Sequence, residues 1–249
     1  MQTKNIIVAL TMIFIISLAA KAESLTVCVP DFEPWGMTVQ GKVQGIMLDH
    51  VVSILNEVKI KGVADFANYP RMIQRLRDGD CEIGVFSRYE KNADAVEFIE
   101  HVYDLQVVVV TPKDVVIENY ETFHDLKRIP SIGFPLGGDG FFVKLFNDPK
   151  IVKSMVPTQQ HGVMMLANGR LGAFVGIEKT IQYEIKKNNF EMKINFPGLK
   201  VDKLEIWLQV SKKSKKAMAL VPQLRKAAKD LKKNGTYESV INQWVSARP

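Results

Sequence analysis

Short apolar runs alternate with amphipathic segments along most of the chain. The run LTVCVP, at residues 25–30, is typical of a buried strand. Beyond the loop that follows, Met47, Val51 and Ile54 recur at helical spacing and place apolar side chains on one face of a predicted helix. This alternation of strands and helices predicts an α/β protein with a mostly parallel sheet that is covered by helices.

The same alternation continues through the first half of the chain. Further strands are predicted at GVADFANY, EIGVF and LQVVVVTP. A helix is predicted at PRMIQRLRDGD, because Pro70 lies near its first turn and Gly79 at its end, which is where these residues favour helix boundaries. The unbroken apolar run LQVVVV indicates a strand that is buried on both faces.

The pattern restarts after Pro112. Strands are predicted at PSIGFPL, LGAFVGIE and LEIWLQVS. Helices are predicted at FHDLKRI, after the Gly-rich turn GGDGFFVKLF, at HGVMMLANGR, at TIQYEIKKNN and over the last part of the chain, with breaks near Pro222 and Asn234–Gly235. The two α/β blocks follow each other without an internal repeat or a low-complexity linker.

The first residues have the features of an export signal. Lys4 precedes an apolar stretch of about fifteen residues, which is shorter than the roughly 18 to 20 residues that a membrane-spanning helix needs. Ala20, Lys21 and Ala22 have the small-x-small form of a signal-peptidase site. We therefore predict a signal peptide at residues 1–22, cut after Ala22, and a soluble periplasmic protein; an N-terminal membrane anchor is the alternative.

The charge of the chain is mildly positive. Without Lys4 and Lys21, the 33 basic and 27 acidic residues become 31 and 27, which leaves a net charge of +4. Many basic residues lie late in the chain, in SKKSKKAM and DLKKNG, and no aromatic residues alternate with them. We interpret these segments as solvated helix faces and predict no nucleic-acid partner.

The sequence contains no pattern of a catalytic or metal site. The four histidines are scattered and show neither metal-ligand spacing nor the arrangement of a nucleophile with its base. We therefore predict that the protein is not an enzyme and holds no metal or other cofactor.

The two cysteines would lie in an oxidising compartment, where disulfides form. Cys28 lies inside the first predicted strand, and Cys81 lies just before EIGVF. If these strands are neighbours that start level, the two thiols are offset along the strands, and the offset makes the Cα separation too large for a bridge. We expect two partly buried thiols, and a disulfide between Cys28 and Cys81 is the alternative.

Several segments occur in an order that is typical of one protein family. They are VCVPDFEPWGM, GKVQGIMLDHVVSIL, MIQRLRDGDCEIGVF, AVEFIEHVYDLQVVVVTPKD, SIGFPLGG, MMLANGRLGAFVGIEKTIQY and KKNGTYESVINQW. With these segments in this order after a signal peptide, the chain resembles the periplasmic solute-binding proteins of the family 3 extracellular type, which serve uptake systems for polar amino acids. The resemblance covers essentially the whole mature chain.

The resemblance implies a two-lobe clamshell of type II. In such proteins, mixed and mostly parallel sheets are joined by two hinge crossings, and the lobes close around a ligand. Carried onto this chain, lobe one comprises residues 23–111 and 203–249, and lobe two comprises residues 112–202. The hinge then lies near VVTPK and GLKVD.

Candidate ligand contacts follow from the rule that parallel α/β sheets bind ligands beyond the carboxyl ends of their strands. After the first strand, Asp31 and Glu33 are candidate partners for a ligand ammonium group. Trp35 is a candidate apolar wall, because similar proteins carry an aromatic side chain there. The alternatives are capping or solvated carboxylates at Asp31 and Glu33 and a Trp35 that plugs the edge of the lobe.

The loop after EIGVF supplies Phe86, Ser87 and Arg88 as further candidates. Similar amino-acid-binding proteins carry an arginine in this loop that binds the α-carboxylate of the ligand through two parallel hydrogen bonds. The matching position here is Asn92, and the loop is shorter than usual. Arg88 is the nearest guanidinium and is expected to contact the ligand; a surface ion pair with a nearby acid is the alternative.

Two candidates come from the predicted lobe two. Asp139, in the Gly-rich turn, is expected to cap a helix or to meet a cationic part of the ligand. Glu178 follows Ile177, which occupies the position of the aspartate that holds the ligand's α-amino group in relatives. Glu178 takes that role or caps the next helix. Because both ends of the α-amino-acid clamp are altered, an ordinary α-amino acid held in the usual way is not expected.

These observations predict a monomeric periplasmic solute-binding protein that captures a small polar organic ligand, such as a non-standard amino acid or a derivative. The predicted partner is an inner-membrane permease of the ABC type. A periplasmic sensor or adaptor for a signalling receptor is the alternative, and a dehydratase-like enzyme on the same scaffold is a weaker one.

Overall fold

The computed structural model describes residues 24–115, 125–136 and 147–246. The predicted signal peptide and the Gly-rich turn with Asp139 lie outside the described residues. None of the described helices combines the length and the apolar character that a membrane crossing requires.

Strands and helices alternate through the described residues. The first half contains β1 (Ser24–Asp31), β2 (Met37–Val39), β3 (Lys42–Gln44), α1 (Ile46–Glu57), β4 (Lys61–Asn68), α2 (Tyr69–Asp78), β5 (Ile83–Ser87) and β6 (Val96–Pro112). The second half contains β7 (Ile132–Pro135), β8 (Lys153–Val156), α3 (Gln159–Ala167), β9 (Ala173–Ile177), α4 (Glu178–Asn188), β10 (Ile194–Ser211), α5 (Lys215–Ala219), α6 (Val221–Lys233) and α7 (Thr236–Ser246). Short 3-10 turns lie at Glu90–Asn92 and Asp125–Arg128.

Eight strands form one mixed sheet in the order β4-β1-β5-β10-β6-β9-β7-β8. The pairs at its two ends are parallel, namely β1 with β4 and β5, and β7 with β8 and β9. The pairs in the middle, which involve β10 and β6, are antiparallel. The predicted α/β class with a mixed, mostly parallel sheet is confirmed.

Strands β6 and β10 connect the two ends of this sheet. β6 has 17 residues and β10 has 18, and they pair with each other over most of their length. The sequence pattern predicted only the later part of each, LQVVVVTP and LEIWLQVS. The predicted lobe boundaries, at residues 111/112 and 202/203, fall on these two crossing strands and stay a prediction.

The apolar core is divided between the two ends of the sheet. A large cluster surrounds β1, β5 and α1. Two smaller clusters cover the opposite faces of the other end, and the run Val107–Val110 alternates between them: Val107 and Val109 lie in one, and Val108 and Val110 in the other. Burial of this run on both faces is therefore confirmed, because successive strand residues point to opposite sides.

Helix α2 is bounded by the residues that the sequence indicated. The Asn68 side chain accepts a hydrogen bond from the Arg71 N–H, and Pro70 lies in the first turn, where a missing N–H costs nothing. Gly79 ends the helix with φ 84°, in the left-handed region that favours glycine. The end of this helix brings the chain to Cys81.

The expectation of two free thiols is wrong. Cys28 and Cys81 form a disulfide, with their Cα atoms 5.5 Å apart, and both residues are fully buried. β1 and β5 are indeed parallel neighbours, with Val27 opposite Ile83. However, Cys81 lies in the bend between α2 and β5 rather than on the extended strand, so the offset along the strands does not set the distance between the two residues.

An aromatic cluster encloses His50, which is fully buried on α1. Its ring lies 5.1 Å from each of the Tyr103 and Tyr237 rings, measured between centroids, and its Nε2 is 3.1 Å from the Tyr237 carbonyl oxygen. Among the described residues, its Nδ1 has no hydrogen-bond partner. Burial lowers the pKa of His50 to about 4.

Acid should therefore weaken the fold through His50. The unfolded chain takes up the proton near the ordinary histidine pKa of 6.5, whereas folded His50 resists it down to about 4. The stability that neutral, buried His50 adds to the fold is therefore complete above pH 6.5. It is lost as the pH falls, and the loss reaches about 2 kcal/mol by pH 5. Urea unfolding of the wild type and of His50→Phe at pH 7 and pH 5 checks this: the variant should lose less stability between the two pH values. Equal losses would contradict it.

Candidate ligand-binding cleft

A cavity of about 280 Å³ lies beyond the carboxyl ends of the strands. The last residues of five strands border it: Asp31, Asn68, Ser87, Pro135 and Ile177. The remaining lining residues are Phe32, Met47, Tyr69, Pro70, Leu105, Leu136, Pro157, Thr158, Gln159 and Ile206. Both ends of the sheet contribute, so the cavity lies where the strand pattern predicts a cleft.

The lining is largely apolar, with a few polar groups. Its polar side chains are those of Asn68, Ser87, Thr158 and Gln159, and among the described lining residues Asp31 is the only charged one. Asp31 is exposed, and its carboxylate has no hydrogen bond or ion pair with another described residue. The cleft therefore presents one carboxylate within an apolar surface, which favours a ligand with an apolar body and a group that can donate to that carboxylate.

Ser87 occupies the floor of the cleft at the end of β5. Burial is the main cause that raises the pKa of the neighbouring Tyr69, while Ser87 acts in the opposite direction. The Gln209 side-chain amide donates to the carbonyl oxygens of Phe86 and Ser87, at 3.0 and 3.2 Å. Asp31 and Ser87 are thus the two predicted site residues that the structure brings together at the cavity.

Gln159 is a cleft residue that the sequence did not single out. It is the first residue of α3 and follows the cap Thr158, whose hydroxyl oxygen accepts a hydrogen bond from the His161 N–H at 3.1 Å. The Gln159 Oε1 accepts from the Ile177 N–H at 2.9 Å, so the side chain joins the start of α3 to the end of β9. The available signal was Thr158-Gln159 at a helix start, but the preceding strand β8 was not predicted.

Trp35 lies behind the cavity rather than at its surface. It is fully buried, its Nε1 donates to the Thr180 Oγ1 at 2.8 Å, and its ring stacks on Tyr103 with centroids 6.3 Å apart. The indole therefore ties the loop after β1 to α4. This position matches the alternative of a core plug more closely than a wall in contact with ligand.

Glu33 adds a polar contact to the same junction. Its Oε1 accepts hydrogen bonds from the Tyr183 hydroxyl and the Lys187 ammonium, both at 2.7 Å. Burial, followed by this hydrogen bond to Glu33, raises the pKa of Tyr183. The loop after β1 thus contacts one face of α4, because its partners Thr180, Tyr183 and Lys187 recur at helical spacing.

Phe86 and Arg88 point away from the cavity. Phe86 is fully buried, with its ring edge-on to Tyr69 at 6.0 Å between centroids. The Arg88 Nε lies 2.6 Å from the Glu90 Oε1, and its guanidinium stacks 4.6 Å from the Trp207 ring centroid. Arg88, Lys203 and Glu205 border an adjoining open depression of about 470 Å³, which shares Ser87 with the cavity. The contacts of Arg88 are those of the alternative, a surface ion pair.

Asn92 is buried in a packed polar cluster. Its Oδ1 accepts from the Arg77 Nη1 at 3.0 Å, and Arg77 also makes two parallel hydrogen bonds with Asp94, each 3.0 Å long. The hydrogen bonds from Arg77 hold the pKa of Asp94 below its usual range. In similar proteins this position carries an arginine that binds the ligand carboxylate. In this chain it is Asn92, whose side chain points into the protein.

The two remaining predicted site residues do not line the described cavity. Glu178 begins α4 next to the cavity residue Ile177, and its side chain is partly exposed without a described partner. Asp139 lies outside the described residues. Within the described part of the chain, no group of three or more His, Cys, Asp or Glu side chains is placed to hold a metal ion.

The sequence profile of the bacterial extracellular solute-binding proteins, family 3, matches residues 25–247. The chain belongs to this family. The predicted resemblance is confirmed, and the long crossing strands of this solute-binding protein are those of a two-lobe, type II fold. As the family's description states, its members are extracellular proteins.

Individual relatives agree with this assignment. The chain is 24% identical over 248 residues to the arginine-binding periplasmic protein of Mannheimia haemolytica, which covers 96% of this chain and 98% of the relative. The GluR0 ligand-binding core in complex with L-glutamate matches with a TM-score of 0.74 at 14% identity, over 90% of this chain and 99% of that one. A histidine kinase sensor domain with similarity to periplasmic binding proteins matches with a TM-score of 0.71 at 16% identity, over 89% and 95%. At such identities the two solved structures establish the shared fold.

Proposed function

We propose that this solute-binding protein captures a small organic ligand in the cleft cavity and delivers it to an inner-membrane permease for uptake. The observation that carries the proposal is a cavity of about 280 Å³ that residues from both ends of the sheet line together. A ligand that contacts both lobes binds the closed arrangement more tightly than the open one, and this difference drives closure.

The proposal extends to the mature protein. After cleavage behind Ala22, the chain is free in the periplasm and acts as a monomer that binds its ligand without converting it. Lobe one comprises residues 23–111 and 203–249, and lobe two residues 112–202. The known relatives support the absence of catalysis, because their names describe binding or sensing.

Among the predicted site residues, Asp31 and Ser87 have the strongest support as direct ligand contacts, because both line the cavity. Glu178 and Asp139 are proposed contacts from the rim of lobe two. Trp35, Phe86 and Arg88 support the site indirectly, since their side chains are engaged in packing, in a cross-lobe hydrogen bond or in an ion pair.

Filling the cavity should abolish capture without unfolding the protein. Leu136 lines the cavity and is 61% exposed, so Leu136→Trp can place its ring in the cleft without disturbing the core. Native mass spectrometry of the freshly purified mature protein should show a bound solute on the wild type and a loss of about tenfold or more in its occupancy on this variant.

Val152→Trp is the matched control. Val152 is 59% exposed, belongs to the same half of the chain and does not line the cavity, so its variant should keep the solute. If the wild type arrives empty, thermal shift with a small-molecule filtrate of growth medium replaces the bound solute. The proposal fails if Leu136→Trp binds as the wild type does, or if the wild type neither retains a solute nor responds to the filtrate.

A sensor function is the second candidate, because the fold matches a histidine kinase sensor domain with a TM-score of 0.71. The sensor would use the same cleft but dock on a receptor. Affinity purification of the protein from its own periplasm, with chemical cross-linking, separates the two: a permease subunit supports uptake, and a receptor supports sensing. A dehydratase-like activity has the least support.

A further inference from the structure

We propose that Gln159 is the ligand contact on the lobe-two side of the cleft, and that Gln159 and Asp31 together select a ligand with an ammonium group, an apolar body and an uncharged hydrogen-bond acceptor such as a carboxamide. This inference rests on the proposed function, since it describes the ligand of the same cleft.

The orientation of the Gln159 amide is fixed by its neighbour. The Ile177 N–H can only donate, so the atom 2.9 Å away must be Oε1. Gly176 makes room for this contact, because a Cβ at that position would lie 2.7 Å from the same oxygen. Nε2 is consequently the free end of the amide, and it donates to no described residue.

That free end belongs to the cleft. Gln159 is only 7% exposed, and it is one of the residues that line the cavity. Its Nε2 keeps access to the cavity, so a ligand acceptor placed against it exchanges a hydrogen bond with water for one with the ligand. Gln159 is also the first residue of α3, where the helix dipole favours the partial negative charge of a carbonyl oxygen.

Asp31 makes the complementary demand from lobe one. Its carboxylate can only accept, and no described residue pairs with it. A ligand ammonium satisfies it with a charge-assisted hydrogen bond, whereas a negatively charged ligand leaves two like charges in a cleft of low polarity. Asp31 therefore recognises a hydrogen-bond donor on the ligand, and Gln159 recognises an acceptor on the same ligand.

The acceptor is uncharged because the described lining offers no cation for a carboxylate. Arg77 is paired with Asp94, and Arg88 is paired with Glu90 and stacked on Trp207. A ligand carboxylate would therefore lose its hydration and gain only hydrogen bonds from one neutral amide. Such an amide compensates for the desolvation cost less well than a guanidinium does. A carboxamide keeps the carbonyl oxygen and avoids this cost.

The apolar part of the ligand fits the remaining lining. Phe32 and Tyr69 present aromatic faces, and Leu105 and Ile206 present aliphatic ones. These side chains form an apolar surface that fits an apolar ligand body of modest size. The ligand class is therefore that of an amide of an apolar α-amino acid, rather than the free acid.

Matched amide and acid probes test the ligand class. Isothermal titration of the full mature protein, in mildly acidic buffer that keeps the amines protonated, should compare L-phenylalaninamide with L-phenylalanine and L-leucinamide with L-leucine. At least one amide should bind about tenfold or more tightly than its acid. The amide that lacks the ammonium, 3-phenylpropanamide, should bind more weakly than L-phenylalaninamide.

Gln159→Glu tests the residue. A glutamate at this position still accepts from the Ile177 N–H, so the melting temperature should stay unchanged, but it turns an acceptor toward the ligand. Affinity for the amide probe should fall about tenfold or more. Gln160→Glu is the control, because it adds the same charge one residue along α3 at a position that does not line the cavity.

Three results would overturn the inference. They are acids that bind as tightly as their amides, an unchanged affinity in Gln159→Glu, and a panel in which no amide binds. The Leu136→Trp comparison with the co-purified solute decides the proposed function separately. If Leu136→Trp loses the co-purified solute but no amide binds the wild type, the cleft binds a solute and the proposed ligand class is wrong.

Discussion

Removal of the Cys28–Cys81 disulfide is expected to lower the free energy of unfolding by about 4 kcal/mol. The two cysteines are 53 residues apart in sequence, so the bridge closes a long loop and restricts the unfolded chain strongly. Both residues are fully buried within the core of lobe one, where the bridge joins β1 to the bend before β5. Urea unfolding of the double variant Cys28→Ala/Cys81→Ala measures the loss.

The wild type is its own control for this effect. After reduction in denaturant and refolding with the reductant present, it should show a similar loss, whereas the double variant should not respond to the reductant at all. A wild type whose midpoint is the same with and without reductant would show that the bridge does not form or does not stabilise the fold.

Trp35→Ala is expected to destabilise the protein by about 3 to 5 kcal/mol. The indole is fully buried, and its removal leaves a cavity next to Tyr103 and deprives the buried Thr180 hydroxyl of its donor. Trp207→Ala, which removes a partly exposed indole, should cost clearly less. Thermal and urea unfolding of the two variants provides the comparison.

A double-mutant cycle isolates the contact between the lobes. Trp35→Phe and Thr180→Val each remove one partner of the 2.8 Å hydrogen bond, and their losses should not add in the double variant. If Trp35→Ala instead keeps its stability and loses its ligand, Trp35 is a cleft wall after all, as the sequence suggested.

The local elements were predictable because each follows from short-range chemistry. The apolar run Val107–Val110 was recognised as a strand that is buried on both faces, and α2 was recognised from Pro70 and Gly79. The full length of β6 was not predictable from the sequence pattern. Its early part, Val96–Tyr103, lacks the strict alternation of polar and apolar residues that indicates a half-buried strand, because its buried residues Val96, Ile99 and Val102 are three positions apart.

The site residues differ in how far their positions depend on distant parts of the chain. Asp31 and Ser87 lie at strand ends beside the cavity, and the sequence predicts these positions because strand direction fixes which end faces the cleft. Whether Trp35 faces ligand or core depends on α4, which lies more than a hundred residues later in the sequence. Gln159 depends in the same way on the Ile177 N–H, and the disulfide depends on a bend rather than on a strand register.

The paired crossing of β6 and β10 restricts how the lobes can move. The two strands are hydrogen-bonded to each other along most of their length, so sliding along the strands would break the ladder, whereas bending across it would not. The register is interrupted at Asn195/Leu199, Lys200/Asp202, Ile206/Trp207 and Leu208/Gln209, and such irregularities locally increase the bend and twist of a strand. This geometry favours a hinge motion of the two lobes, which opens and closes the cleft, over sliding of one lobe along the other.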